Sequence, residues 1–204
     1  MQENADFFDV RAEQWEQNCY PAPTRQRLEA LIPTFHVTSG ARILDIGTGP
    51  GILIPYLRNI VGRQGRICAF DISFQMARQA GKKLESEEDI VLQADVHRIP
   101  FKDNAFDHVI CFAAFPHFHS PDLAVQEMAR VGKSGARLVI AHLMSREELA
   151  RHHAAHSAVD KDVLPDDDQM VSLFINAGLT HPEITDIPGS YLATGTKRQN
   201  LDCS

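Results

Sequence analysis

Short apolar runs alternate along the chain with longer segments of helical period. Runs at 42–46, 66–71, 90–95, 106–112 and 135–142 are dense in Ile, Val, Leu and Phe. They lack the in–out alternation of a half-exposed strand, so they predict strands buried on both faces. Between them, Ile52, Leu53, Ile54, Tyr56 and Leu57 predict a helix that tolerates Pro55 in its first turn. Ser73 caps a predicted helix running to about Leu84, and Leu123–Val131 predicts another. Upstream, Phe7, Phe8, Ala12 and Trp15 recur at helical spacing and predict one helix over 4–17. Asn18–Pro23 breaks it, and a second helix is expected from Thr24, as its cap, to Ile32. Downstream, Ser145-Arg146-Glu147-Glu148 has the capping-box pattern and opens a helix to about residue 157. Asp166-Asp167-Asp168 reads as the solvated start of a helix that Gly178 stops. Segments 183–187 and 191–196, joined by Pro188-Gly189, predict a closing hairpin.

Strands alternating with helices predict an α/β fold of Rossmann-like, doubly wound type. Its seven-stranded sheet is mostly parallel and carries an antiparallel C-terminal hairpin strand. A single domain over 1–204 is expected. Residues 1–36 form an N-terminal helical lid, 41–142 the cofactor-binding core, and 143–204 the C-terminal helices and closing hairpin.

A length of 204 residues suffices for one well-filled core. A net charge of −7 with no basic tract argues against a nucleic-acid partner. No apolar run reaches membrane-spanning length, and the polar, acidic start does not read as a signal peptide. The cysteines (19, 68, 111 and 203) are scattered without a C-x-x-C pair, so a reducing cytoplasm is the expected compartment. Monomer and homodimer both remain open.

Candidate chemistry centres on Asp45-Ile46-Gly47-Thr48-Gly49-Pro50-Gly51. An apolar strand that ends in an acid and breaks into alternating glycines predicts a tight turn lying against a ligand. A pyrophosphate-binding turn wants G-x-G-x-x-G. Here the spacing is G-x-G-x-G, and Asp45 just before it would repel a pyrophosphate and suit a cationic or amine-bearing ligand. Asp71, about twenty residues beyond the turn, stands where a carboxylate takes ribose hydroxyls. Asp95 ends the third apolar run. There a side chain can accept from an adenine amino group, with the Val96 amide meeting a ring nitrogen and Ile72 and Val96 flanking the ring. Plain core packing is the alternative for both, and for Ile72 the two readings weigh equally.

The ordered motifs continue with Asp71-Ile72-Ser73-x-x-Met76, Ala94-Asp95-x-x-x-Ile99-Pro100-Phe101, Phe106-Asp107-x-Val109 and Glu127-Met128-x-Arg130-Val131. With Phe7-Phe8-Asp9-x-x-Ala12-x-x-Trp15 before them, they resemble the class I S-adenosylmethionine (SAM) methyltransferases over residues 5–142. The branch they resemble includes the ubiquinone and menaquinone C-methyltransferases. The resemblance implies SAM as cofactor, held by Asp45, Gly47, Thr48, Gly49, Gly51, Asp71, Ile72, Asp95, Val96 and Phe112. It implies methyl displacement from the sulfonium to a small-molecule acceptor. Lys133-Ser134-Gly135-Ala136 departs from the family's Lys-Pro-Gly-Gly before the fifth strand. The quinone enzymes also have a longer, different C-terminal half, so their substrate is not carried over.

The acceptor pocket is expected from Trp15, Tyr20, Phe115, His117 and His119, with Phe112 and Phe118 adding apolar surface. Six of the ten histidines (117, 119, 142, 152, 153 and 156) fall where they can converge near the mouth of the sheet. Three readings stay open for them. They are a family loop and a solvated helix face; or His117, and after it His142, acts as general base; or His152 and His156, one helical turn apart, bind a divalent metal or metal-bearing substrate. A nicotinamide-dependent oxidoreductase is the remaining alternative, which Asp45, Asp95 and the glycine spacing disfavour.

Overall fold

The computed structural model describes residues 2–154 and 162–199. The chain runs α1 (Gln2–Asp9), α2 (Trp15–Cys19), α3 (Ala22–Leu31), β1 (Arg42–Ile46), α4 (Ile54–Val61), β2 (Arg66–Asp71), α5 (Phe74–Gly81) and β3 (Ile90–Gln93). It continues with β4 (Phe106–Phe112), α6 (Pro121–Val131), β5 (Gly132–His142), α7 (Arg146–Ala154), α8 (Asp167–Asn176), β6 (Leu179–Ile187) and β7 (Ser190–Lys197). One seven-stranded sheet has the order β3-β2-β1-β4-β5-β7-β6. The first five strands pair in parallel, and β7 pairs antiparallel with both β5 and β6. The predicted architecture is the one observed.

Apolar runs make buried strands here because both faces are covered. On one face Leu44, Phe70, Val109 and Leu138 pack with Val125, Met128, Met170 and Phe174. On the other, Ile43, Ile67, Ile110 and Val139 pack with Leu28, Phe35, Leu53 and Leu57. The strand order reverses between β1 and β4, so their carboxyl ends diverge and open a crevice.

Several boundaries differ from the sequence expectation, each for a local reason. The single helix over 4–17 is two helices. Asp9 ends the first by leaving it: its carboxylate accepts from Ser73 Oγ and, at 3.1 Å, from the Gln75 amide at the start of α5. Thr24 is not the cap of α3, which starts two residues earlier behind Pro21, with Pro23 in its first turn where a missing N–H costs nothing. The third strand stops at Gln93. Asp95 instead caps a short 3-10 turn, Val96–Arg98, by accepting from the His97 amide, the side-chain competition with a ladder that Asp favours. The hairpin strand β6 begins at Leu179, earlier than expected, and Pro182 is tolerated because this strand is the sheet edge. The capping box is formed: Ser145 N–H donates to Glu148 Oε2 (2.8 Å), and Glu148 N–H donates to Ser145 Oγ (3.2 Å).

Candidate cofactor and acceptor site

The glycine turn lies at the crevice between β1 and β4, and its three glycines have three different tasks. All have positive φ, between 56° and 79°. A Cβ on Gly47 would stand 2.4 Å from Ala114 Cβ, so this glycine lets the turn pass the end of β4. A Cβ on Gly51 would stand 2.9 Å from Ala80 Cα, so this glycine lets the turn pack on α5. Only at Gly49 is the space open, with nothing within 4 Å. Gly47 and Gly49 line the large cavity of the crevice, and Gly51 does not. Gly51 thus serves packing here rather than ligand contact.

That cavity has a volume of about 1150 Å³. This exceeds the roughly 300–1,000 Å³ of a pocket for one ligand and leaves room for a cofactor beside an acceptor. Asp45, Thr48, Asp71, Ile72, Asp95, Val96 and Phe112 all border it. Asp45 is 1% exposed, and Thr48 Oγ donates to its Oδ2 at 2.6 Å. Burial pushes its carboxyl up to about 7, against the Thr48 hydrogen bond, and the nearby Asp71 charge pushes the same way. Asp71 accepts from Ser73 N–H on Oδ1 (2.9 Å) and from Gly49 N–H on Oδ2 (2.8 Å). Burial still raises it to about 6, with the two amides acting against that rise. Each of its oxygens keeps a second lone pair for a ligand hydroxyl. Two buried carboxylates that repel each other, beside an open glycine backbone, fit a cationic ligand carrying a ribose. They fit a pyrophosphate poorly. At Asp95, both the His97 amide (2.9 Å) and His97 Nδ1 (2.6 Å) meet Oδ1.

The far wall is aromatic and imidazole-rich. Phe8 stands edge-on to both Trp15 (5.4 Å) and His117 (5.3 Å), and Tyr20 lies 6.3 Å from Phe112. Trp15, Tyr20, His117, His119, His142, His152 and His153 border the cavity. Phe115 does not: it is 2% exposed in the core, beneath Phe118, because the 3-10 turn after β4 points it inward. His119 sits apart from the other expected histidines, its ring 3.7 Å from that of His97 beside Asp95. His142 is a poor base. Met144 N–H donates to its Nδ1 at 3.1 Å, which puts its own proton on Nε2. Burial, with the charges of His117, His153 and His152, holds the ring down at about 3 and therefore neutral. His156 lies outside the described residues. Among the described residues, no group of three or more His, Cys, Asp or Glu side chains could hold a metal ion. His97 and Asp162 were not singled out from the sequence. His97 was legible as the second residue after a capping Asp, whereas Asp162 gave no local signal.

Known proteins share this fold and sequence pattern. Residues 44–140 match the family described as methyltransferase domain. The ubiquinone/menaquinone biosynthesis C-methyltransferase UbiE of Serratia proteamaculans is 32% identical over 133 residues, which cover 63% of this chain and 53% of that enzyme. The chain thus spans about half the length of this curated relative. A SAM-dependent methyltransferase structure from Aquifex aeolicus superposes with a TM-score of 0.73 at 22% identity, covering 92% of this chain and 97% of that one. Haemonchus contortus phospholethanolamine N-methyltransferase 2, solved with S-adenosylhomocysteine, superposes with a TM-score of 0.77 at 15% identity, covering 97% of this chain and 59% of that one. In fold, motifs and relatives the chain is similar to the class I SAM-dependent methyltransferases. Within that class the chain resembles the UbiE-type C-methyltransferases.

Proposed function

We propose that the chain binds SAM in the β1/β4 crevice and moves its methyl group to a small, neutral acceptor with apolar or aromatic surface. The observation that carries this reading is the open Gly49 backbone between two buried, mutually repelling carboxylates. Asp71, preset by the Ser73 and Gly49 amides, takes the ribose hydroxyls. Asp45 acts directly or through Thr48 on the cationic end of the ligand. Asp95 Oδ2 and the Val96 amide read the adenine edge, with Ile72 against the ring. SAM supplies a methyl carbon bound to a sulfonium, already a good leaving group, so the protein's task is alignment and exclusion of water. Phe8, Trp15 and Tyr20 close the outer side as a lid over that reaction. His142 offers an Nε2–H donor to the acceptor, and His117 is the imidazole placed to take a proton.

Calorimetry with SAM on the wild type and on Asp71→Asn tests this. The variant keeps the volume but faces an amide N–H with an NH₂, and it loses a charged acceptor for ribose. Affinity is expected to fall about 10- to 100-fold, as for loss of a charge-assisted hydrogen bond. Equal affinity in the two proteins would contradict the assignment.

A further inference from the structure

Asp162, in the loop between α7 and α8, joins two histidines of the cavity wall. Its Oδ2 lies 2.6 Å from His117 Nδ1, and its backbone carbonyl lies 2.5 Å from His153 Nδ1. Carboxylate and carbonyl oxygens only accept, so each Nδ1 must carry the proton. The ring of His117 therefore has its lone pair on Nε2, the reverse of His142. The ring is also held from a second side by Phe8, edge-on at 5.3 Å, and lies 5.4 Å from the His153 ring. The ring borders the same cavity as Asp71 on the cofactor side and His142 on the acceptor side. The His117–Asp162 pair is shielded, with side-chain exposures of 18% and 23%, and a carboxylate–imidazole bond in such surroundings is stronger than in water.

We propose that Asp162 is a positioning residue that locks His117 in the Nδ1–H tautomer, so that His117 Nε2 serves as base for an acceptor that sheds a proton on methylation. The inference rests on the crevice being a SAM site. In the transfer the acceptor's nucleophilic atom bonds to the methyl carbon, and the S–CH₃ electron pair goes to sulfur. The acceptor's proton goes to His117 Nε2 and from there to solvent. The acceptor class is thus one with an X–H bond at the reacting atom, a hydroxyl or thiol above all. A tertiary amine or a thioether would need no base.

Long-range ¹H–¹⁵N spectra of the whole chain with S-adenosylhomocysteine read the tautomer of His117, assigned by loss of its signals in His117→Gln. Calorimetry on the same samples reads cofactor affinity. The wild type is expected to hold the proton on Nδ1. Asp162→Ala is expected to shift it largely to Nε2, and Asp162→Glu to restore Nδ1, with affinity for S-adenosylhomocysteine changing less than about threefold in either variant. A wild-type proton on Nε2, or an unchanged tautomer in a folded Asp162→Ala protein, would overturn the proposal. A wild type that shows the expected tautomer yet binds no S-adenosylhomocysteine would instead count against the cofactor reading.

Discussion

Asp45 and Asp71 carry opposite burdens with and without a cation between them. Both folded values, about 7 and about 6, lie above the ordinary range for Asp near 3.9. For an acid raised on folding, the stabilising contribution is fully present below the unfolded value and is lost as pH rises through the folded one. In the ligand-free protein these two groups therefore become a growing cost between about pH 4 and 7. A bound sulfonium and amine prefer the ionised pair, so SAM affinity should rise across the upper part of that window. An increase of about tenfold or more from pH 5.5 to 8, with proton release seen by calorimetry in two buffers, is expected. A flat profile would show that neither carboxylate faces the cation. The glycines separate binding from folding in the same way. Gly49→Ala meets no neighbour, so it should cost only about 1–2 kcal/mol of left-handed strain yet crowd the ligand. Gly51→Ala runs into the Ala80 backbone and should cost about 2–4 kcal/mol, with little direct effect on SAM contacts. Denaturant melts and SAM titrations on both variants read the two effects apart.

The proposed lid of α1 and α2 depends on contacts between elements rather than on its own core. Asp9 accepts from the Ser73 hydroxyl and the Gln75 amide at the start of α5, and Glu16 pairs with Arg25 of α3 (2.9 Å) and with Lys83 just past α5 (2.6 Å), so α1 and α2 are tied to both ends of α5 and to α3. Asp9→Ala removes an acceptor from a helix start, a loss of about 1 kcal/mol in similar caps. S-adenosylhomocysteine should then dissociate about 5- to 10-fold faster, which stopped-flow release can read, while the melting temperature falls only about 2–4 °C. Unaltered release would mean that α1 does not cover the cofactor. The break between α1 and α2 was hidden from periodicity for a tertiary reason. Phe7, Phe8, Ala12 and Trp15 keep helical spacing, but Asp9 is drawn to a partner 64 residues away. Asp95 escaped for a local one, since an Asp that can cap its own turn abandons the strand it follows. By contrast Asp45, the glycines, Asp71 and Ser73 were legible, because strand ends and helix caps are written in adjacent residues.

Across the whole molecule, the alternation of buried runs and amphipathic segments determines the doubly wound sheet, and the sheet determines where the crevice opens. The proposed cofactor half of the site follows from that, since its residues end β1, β2 and the segment after β3. The proposed acceptor half draws on α1, α2, the loop after β4, α7 and Asp162. The last of these reaches His117 across 45 residues, a pairing that no spacing rule announces. No helix among the described residues is long and apolar enough to cross a membrane. The central claim, that this crevice is built for SAM and not for a dinucleotide, is tested most directly by thermal-shift titration of the whole chain with SAM, S-adenosylhomocysteine and NAD at one pH near 7.5. Saturable stabilisation by the first two is predicted, about 2.7 kcal/mol at a hundredfold excess over Kd, with none from NAD. Stabilisation by NAD with no response to SAM would contradict it.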